Sequence, residues 1–200
     1  MLPRYTGILL SAGESRRMGR PKALLTLGGR TFFREACEAM RAAGLATRVA
    51  VVPPGLAAEL RADAAGADLL ANGEPERGQI HSLKMGLAWI IAGGSPAQPL
   101  DGAFVLLVDN PGDLTDRLRI VAEAVARDPG LVYTASHGGE PGHPLWLPAR
   151  LWARLLDWDG PGGTRGFLEA RGEPVTAVET AFPSALHDID TPGDYSGLPG

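Results

Sequence analysis

Short apolar runs alternate with amphipathic stretches along the first 130 residues. Four apolar runs predict strands at 5–10, 47–52, 68–71 and 103–108. Between them, apolar residues spaced three and four apart predict helices around 33–40, 56–65, 80–90 and 118–125. The run 103–108 is almost continuously apolar, which is typical of a strand buried on both faces of a sheet. This alternation predicts an α/β fold with a parallel sheet and helices on both sides.

The pattern changes after residue 130. Two strands are predicted at 131–136 and 143–147, joined by the turn-rich segment 137–142. Helices are expected over 148–156 and 164–170, followed by a late strand over 175–180. No repeat and no break in composition divides the chain, so we predict one domain over residues 1–200.

Individual residues refine these elements. Thr115 is the expected N-cap of the helix around 118–125. Cys37 lies on the apolar face of the first helix, which predicts a core role for this residue. The four tryptophans are expected to serve mainly in packing.

Composition and charge exclude several classes of protein. The 200 residues are 44% hydrophobic and carry a formal net charge of −4, without a basic run, so we expect no nucleic-acid partner. No apolar run approaches the ~20 residues of a membrane span, and the first residues lack a signal-peptide pattern. A single cysteine excludes an internal disulfide. We therefore expect a soluble, cytoplasmic protein without a membrane partner.

The loop after the first strand carries the most informative motif. Residues 9–22 read LLSAGESRRMGRPK, a strand end followed by small residues and then by several cations. Backbone N–H groups of such a loop can hold phosphate oxygens while Arg and Lys offset their charge. The spacing fits neither the P-loop nor the Gly-x-Gly-x-x-Gly fingerprint. The structural alternative is an ordinary basic surface loop.

This segment resembles the signature Leu-Ala-Ala-Gly-x-Ser-x-Arg-Met-Gly-x-x-Lys of the MobA-like nucleotidyltransferases, with Ser11 in place of the first Ala. The resemblance implies a Rossmann-like three-layer sandwich of the nucleotide-diphospho-sugar transferase type, with a mostly parallel central sheet. It also implies transfer of a nucleoside monophosphate from a triphosphate, with Arg17 and Lys22 on the phosphates. The implied nucleotide contacts are Ser11, Ala12, Gly13 and Ser15 in the loop, with Lys22, and Asn72 and Ser82 farther along.

Three later motifs extend the resemblance. Asp109-Asn110-Pro111 is similar to the family's Asp-x-Pro, in which the aspartate holds Mg²⁺; the alternative is a turn-forming Asp before proline. Residues 188–194, DIDTPGD, resemble the closing Asp-x-Asp-Thr-Pro-x-Asp, so that Asp188 or Asp190 becomes the second metal ligand. Either Asp190 or Thr191 could instead cap the helix that begins near Pro192.

The acceptor site is implied by two further segments. Gly142-His143-Pro144 looks like the family's Gly-His-Pro beside the acceptor pocket, and residues 160–165, with Arg165, are similar to a stretch of the cytidylyltransferase branch. For Ser82, ordinary chemistry at a helix N-terminus is an equally good interpretation. His187 has no motif and is expected at the surface.

The resemblance is closest to the molybdenum cofactor cytidylyltransferase branch. Ala12 stands where the GTP-using branch has glycine, and its methyl group would crowd a purine. The expected reaction is therefore transfer of CMP from CTP to the phosphate of molybdopterin cofactor, with Mg²⁺ as cofactor. The alternatives are GTP, another phosphorylated acceptor, or a non-catalytic protein that delivers cofactor to a molybdoenzyme.

Overall fold

The computed structural model describes residues 4–13, 15–94 and 100–198. Glu14, within the predicted phosphate loop, and both ends of the predicted domain lie outside the described residues. The strands are β1 (Tyr5–Leu10), β2 (Thr26–Leu27), β3 (Arg30–Thr31), β4 (Thr47–Val52), β5 (Asp68–Ala71), β6 (Gly102–Leu107), β7 (Val132–His137), β8 (Glu140–Pro148) and β9 (Val175–Glu179). The α-helices are α1 (Phe32–Ala42), α2 (Ala57–Leu60), α3 (Gln79–Trp89), α4 (Leu114–Val125), α5 (Trp152–Leu156), α6 (Gly163–Ala170) and α7 (Pro192–Ser196). Short 3-10 turns lie at Lys22–Leu24, Pro54–Leu56, Arg61–Asp63, Pro75–Arg77, Ala149–Leu151 and Pro183–Leu186, and a π turn lies at Ile90–Gly94.

Seven strands form the central sheet in the order β5-β4-β1-β6-β8-β7-β9. Strands β5, β4, β1 and β6 run parallel, β8 pairs antiparallel with both β6 and β7, and β9 runs parallel to β7. β2 and β3 form a separate two-stranded hairpin. The predicted mostly parallel sheet of the nucleotide-diphospho-sugar transferase fold is confirmed.

Side chains of β1 alternate between two apolar layers, as the period of a strand requires. Leu9 packs into a cluster with residues of α1 and α4, whereas Ile8 and Leu10 pack into a cluster with residues of α3, α5 and α6. Helices therefore cover both faces, which makes the predicted three layers. Cys37 is fully buried, as predicted, and burial raises the pKa of its thiol to about 12.

Three local predictions are wrong in detail. α4 begins at Leu114 with Asp113 as its N-cap residue, in the left-handed conformation, so Thr115 lies inside the helix. The predicted helix over 56–65 is broken, because only Ala57–Leu60 is α-helical between two 3-10 turns. The turn predicted over 137–142 is only two residues, Gly138 and Gly139, both with the positive φ that a tight hairpin turn needs.

Candidate functional site

The loops that follow three parallel strands meet at one edge of the sheet. The backbone N–H of Ser11, after β1, donates to the Val51 carbonyl, and that of Asn72, after β5, donates to the Val52 carbonyl. The N–H of Val108, just after β6, donates to the Leu10 carbonyl. Ligands of open α/β sheets bind outside the carboxyl ends of the strands, and this edge is that position.

The loop between β1 and Lys22 is held by its own hydrogen bonds. The Ser15 carbonyl accepts from the N–H groups of Met18 and Gly19 at 3.0 and 3.1 Å, and the Ser15 hydroxyl accepts from the Lys22 N–H at 3.1 Å. The Met18 side chain is buried in the core and anchors the loop. A Cβ atom on Gly13 would have no neighbour within 4 Å, so the space beside this glycine is open for a ligand.

Lys22 lies between two carboxylates. Its Nζ donates to Oδ2 of Asp109 at 2.7 Å and to Oδ1 of Asp190 at 2.6 Å, and only 12% of its side chain is exposed. Burial lowers the pKa of Lys22, but the hydrogen bonds to both carboxylates outweigh it and leave the pKa raised, so the ammonium stays charged. Arg17, which is mostly exposed, donates to Oδ2 of the same Asp190 at 2.7 Å.

The C-terminal segment brings Asp190 to this cluster. The N–H of Ile189 donates to the Asp109 carbonyl at 2.7 Å, and the Tyr195 hydroxyl donates to the Thr26 carbonyl at 3.0 Å. Thr191, not Asp190, is the N-cap of α7, in a reciprocal capping box with Asp194. Capping by Asp190 is thus excluded, and its carboxylate is available for the lysine, whose hydrogen bond lowers the pKa of Asp190.

Asp188 has different surroundings. One carboxylate oxygen, Oδ1, accepts from Asn110 Nδ2 at 3.2 Å. Partial burial, and then the negative charge of nearby Asp109, raise the pKa of Asp188. The structure therefore brings Asp109 and Asp190 together around the Lys22 ammonium. Asp188 lies outside this pair, in the wall of a larger cavity.

The carboxylates of Asp109 and Asp190 are suited to a divalent cation. Within residues 4–13, 15–94 and 100–198, no three His, Cys, Asp or Glu side chains form a ready-made metal site. Asp109 and Asp190 nevertheless converge on one positive charge, the Lys22 ammonium. Mg²⁺ is commonly held by one or two carboxylates together with substrate phosphates. The pair fits a cation whose remaining ligands come from a bound phosphate.

A cavity of about 210 Å³ lies beside this cluster. Its walls include the predicted residues Ser11, Ala12, Gly13, Ser15, Arg17, Lys22, Ser82, Asp109 and Asp190. The predicted contact Asn72 is absent from these walls. It is 1% exposed, and its side-chain amide donates to the Ser82 hydroxyl at 3.0 Å, so it positions Ser82 from behind.

A larger cavity of about 910 Å³ adjoins the first. Gly142, His143 and Arg165 line it, as predicted for the acceptor site, whereas Pro144 is buried and does not. A Cβ atom on Gly142 would lie 2.0 Å from the Ala185 carbonyl oxygen, so only glycine permits this close approach. Leu10, Gly78 and Gln79 belong to the walls of both cavities, which places the two spaces side by side.

His143 is neutral at this cavity. Its Nδ1 atom is buried without a hydrogen-bond partner among the described residues. Burial lowers the pKa of His143 to about 4, partly opposed by the carboxylate of Asp109. A neutral imidazole can accept or donate a hydrogen bond to a ligand in the cavity.

Arg117 is a site residue that sequence reasoning missed. Its guanidinium is fully buried and donates to the carbonyls of Asn110, Gly112 and His143 and to the Asn110 side chain. It thereby links the loop that carries Asp109 to β8, the strand that carries His143. In the sequence it is one charged residue on an amphipathic helix, and no motif indicates that its side chain meets the carbonyls of the preceding loop and of His143.

The match to a family model decides the family. Residues 7–175 match the model of the MobA-like NTP transferase domain. The chain belongs to the MobA-like NTP transferase family. The resemblance of residues 10–22 to that family is thus confirmed, and the matched domain is a nucleotidyltransferase domain of the MobA-like type.

Curated relatives and solved structures cover nearly all of the MobA-like chain. Nicotine blue oxidoreductase of Paenarthrobacter nicotinovorans is 32% identical over 95% of this chain and 94% of its own length. Molybdenum cofactor guanylyltransferase of Cereibacter sphaeroides is 33% identical over 96% and 94%. Rv0371c of Mycobacterium tuberculosis H37Rv superposes with a TM-score of 0.76 at 26% identity, over 98% of this chain and 97% of that one, and has also been crystallised with manganese. None of the helices in the described part of the MobA-like chain has the length and apolarity to cross a membrane.

Proposed function

We propose that this chain transfers the cytidylyl group of CTP to the phosphate of molybdopterin cofactor, releases pyrophosphate, and does so in the cytoplasm. The observation that carries the proposal is the cluster of Lys22, Asp109 and Asp190 in the wall of the smaller cavity, which the larger cavity adjoins. The smaller cavity is assigned to the triphosphate and the larger to the acceptor. The relative named molybdenum cofactor guanylyltransferase supports this class of acceptor.

The reaction forms one bond and breaks one. An oxygen of the acceptor phosphate attacks the α-phosphorus of CTP, the bond from that phosphorus to the bridging oxygen breaks, and pyrophosphate leaves with the electron pair. Attacking and leaving groups are both anionic, so the residues act mainly by positioning and by charge. Lys22 and Arg17 stabilise the negative charge that grows on the leaving pyrophosphate.

Two carboxylates prepare the site for a cation. Asp109 and Asp190 are the residues that would hold Mg²⁺, which when bound offsets the charge of the phosphate oxygens. Lys22 keeps its proton because both carboxylates accept hydrogen bonds from it. Asp188, bound by Asn110, faces the assigned acceptor cavity together with His143 and Arg165.

The choice of CTP rests on Ala12. This side chain is 5% exposed and lies in the wall of the smaller cavity, where an added methyl group reduces the width available to a base. The relative named guanylyltransferase favours GTP as the second choice. Overpacking by one methyl group costs about 1–3 kcal/mol, which is enough to separate the two triphosphates.

Pyrophosphate release tests the proposal. The protein is incubated with Mg²⁺ and CTP, GTP, ATP or UTP, each with and without molybdopterin cofactor. We expect release that requires the acceptor and is fastest with CTP, and that disappears in Lys22→Ala. Pyrophosphate release from GTP and from no other triphosphate would identify GTP as the donor in place of CTP. No release from any of the four triphosphates would contradict the proposal.

A second candidate function is hydride transfer. It is favoured by the relative named nicotine blue oxidoreductase, at 32% identity over nearly the whole chain. A loop that holds a triphosphate could also hold the pyrophosphate of a nicotinamide dinucleotide. The test mixes the protein with NADH or NADPH and an oxidised dye, and follows oxidation of the nicotinamide by its absorbance. Oxidation by a protein that releases no pyrophosphate from any triphosphate would support this candidate.

A further inference from the structure

Asn110 and Arg117 form a buried polar pair behind the candidate site. Asn110 is 1% exposed and Arg117 is fully buried, and neither belongs to the wall of either cavity. Within residues 4–13, 15–94 and 100–198, the Arg117 guanidinium donates to carbonyl and amide oxygens and to no carboxylate. Burial lowers the pKa of Arg117 to about 10, so the group stays charged at neutral pH. Burying a charge without an opposite charge is costly, so the bonds of this arginine matter to the fold around it.

Arg117 connects the loop after β6 to β8. Its Nη2 atom donates to the Asn110 carbonyl at 2.9 Å and to the Gly112 carbonyl at 2.7 Å, both in the loop that begins with Asp109. Its Nη1 atom donates to the His143 carbonyl on β8 at 2.6 Å. The guanidinium is planar and its N–H groups have fixed directions, so these bonds fix the strand relative to the loop.

Asn110 extends the connection to the C-terminal segment. Its side-chain oxygen accepts from Arg117. Its Nδ2 atom lies 3.0 Å from the Ser184 carbonyl oxygen, and 3.2 Å from both the His187 carbonyl oxygen and Oδ1 of Asp188. An amide side chain carries an acceptor and two donors, so it can bond the arginine on one side and the segment that leads to Asp188 on the other.

The parts that this pair joins belong to the two assigned substrate sites. Asp109 lies in the wall of the smaller cavity, whereas His143 and Asp188 lie in the wall of the larger one. Transfer of a phosphoryl group depends mainly on positioning of the attacking oxygen in line with the leaving oxygen. A misplacement of about 1 Å, even by a change far from the reacting atoms, can cost about 100-fold in rate.

We infer that Asn110 and Arg117 are positioning residues that hold the acceptor wall in place against the triphosphate site. This inference rests on the proposed function, because it uses the assignment of the two cavities to the two substrates. The pair lines neither cavity and acts through Asp109, His143 and Asp188.

Arg117→Lys tests this role, because lysine keeps the charge but lacks the planar fork that bonds Asn110 and His143 together. We expect the rate of CMP transfer in a single turnover, at saturating CTP and molybdopterin cofactor, to fall roughly 100-fold. Binding of CTP with Mg²⁺, measured by calorimetry, should be unchanged, since Lys22 holds the Asp109 carboxylate. Asn110→Asp keeps the acceptor for Arg117 but removes the amide donors, and it should show the same slow transfer with normal CTP binding.

Val121→Ala is the matched control for lost stability. Val121 is fully buried in α4, one turn after Arg117, and its side chain takes no part in the polar connections. The variant should lower the melting temperature, because it removes buried methyl groups. Its transfer rate and its CTP binding should equal those of the parent.

Hydrogen exchange gives a readout that does not depend on activity. The backbone N–H of Ile189 donates to the Asp109 carbonyl at 2.7 Å, so its exchange reports whether the C-terminal segment stays against the loop. We expect exchange at Ile189 to become roughly tenfold faster in Arg117→Lys and Asn110→Asp, but not in Val121→Ala.

The outcomes separate this inference from the proposed function. Transfer rates in Arg117→Lys and Asn110→Asp equal to that of Val121→Ala would overturn the inference and leave the proposed function standing. Unchanged exchange at Ile189 in both site variants would do the same. A parent protein that releases no pyrophosphate from any triphosphate would overturn the proposed function, and this role with it.

Discussion

The Nζ atom of Lys22 lies 2.6 Å from Oδ1 of Asp190, a residue 168 positions later in the chain. The same atom lies 2.7 Å from Oδ2 of Asp109. One ammonium thus pairs with two carboxylates, one just after β6 and one just before α7. The Lys22 ammonium, proposed to bind the triphosphate, thus lies next to the two carboxylates proposed to bind a metal ion, before either ligand is present.

Loss of the Lys22 charge should abolish turnover without unfolding the protein. Lys22→Ala removes a group that stabilises phosphate charge in the transition state, and such a loss costs roughly 10²–10³-fold in kcat. Stopped-time assays of pyrophosphate release would give kcat, and circular dichroism would report the fold. Arg34→Ala, which removes an exposed helix ion pair with Glu38, should leave kcat unchanged. A Lys22→Ala enzyme with normal kcat would show that the loop does not hold the triphosphate.

The lysine should also compete with metal. In the free parent the ammonium occupies the position between Asp109 and Asp190, so Mn²⁺ should bind weakly without nucleotide. Lys22→Met leaves two carboxylates without a neighbouring positive charge, and Mn²⁺ affinity should rise roughly tenfold or more. The free Mn²⁺ signal in electron paramagnetic resonance measures this directly.

The matched control for metal binding is the double variant Lys22→Met with Asp109→Asn. It should not show the rise in Mn²⁺ affinity that we expect for Lys22→Met. Equal Mn²⁺ affinity in the parent and in Lys22→Met would show that these carboxylates are not a cation site.

Base choice should respond to a single methyl group. Ala12→Gly should admit the larger base and narrow the advantage of CTP over GTP by about tenfold, since overpacking of one methyl group costs about 1–3 kcal/mol. Competition between the two triphosphates in one reaction, with products separated by chromatography, measures the ratio. A parent that uses both equally, or a variant with an unchanged ratio, would contradict a role for Ala12 in base choice.

His143 should make the protein sensitive to mild acid. Because its pKa in the fold is about 4 and its ordinary value is about 6.5, the unfolded chain takes up a proton first as the pH falls. The contribution to stability is therefore complete above pH 6.5 and is lost as the pH falls towards 4. Between pH 6.5 and pH 5 the loss is about 1.6 kcal/mol.

Denaturant unfolding at several pH values tests this prediction. His143→Gln should lose less stability than the parent over this range, whereas a variant of the exposed His187 should behave like the parent. If the free energy of unfolding fell equally with pH in the parent and in His143→Gln, a buried, neutral His143 would be contradicted.

The parts of the fold that depend on local pattern could be predicted from the sequence. The strands β1, β4, β5 and β6 have nearly the predicted bounds, because each is a short apolar run between turn residues. The start of α4 could not be predicted, since Gly112 and Asp113 are shaped by contacts with residues distant in sequence. The Gly112 N–H donates to Glu35 at 2.9 Å, and the Asp113 carboxylate accepts from the Ser184 hydroxyl at 2.9 Å.

Some residues of the site could likewise be predicted from the sequence, and others could not. Motif residues such as Ser11 and Asp109 lie together at the cavity because they closely follow the ends of β1 and β6. Asn72, by contrast, supports Ser82 from behind, and only the three-dimensional arrangement distinguishes such support from direct lining. The burial of Arg117 could not be predicted from the sequence, because it depends on how the guanidinium turns towards the carbonyls of the preceding loop and of β8.

The fate of labelled phosphorus tests nucleotidyl transfer most directly. The protein is given molybdopterin cofactor, Mg²⁺ and CTP labelled with radioactive phosphorus at either the α or the γ position, and the products are separated. We expect the α label to join the acceptor and the γ label to appear in pyrophosphate, in the parent but not in Lys22→Ala. Transfer of the γ label to the acceptor, or no transfer of either label from CTP or GTP, would contradict it.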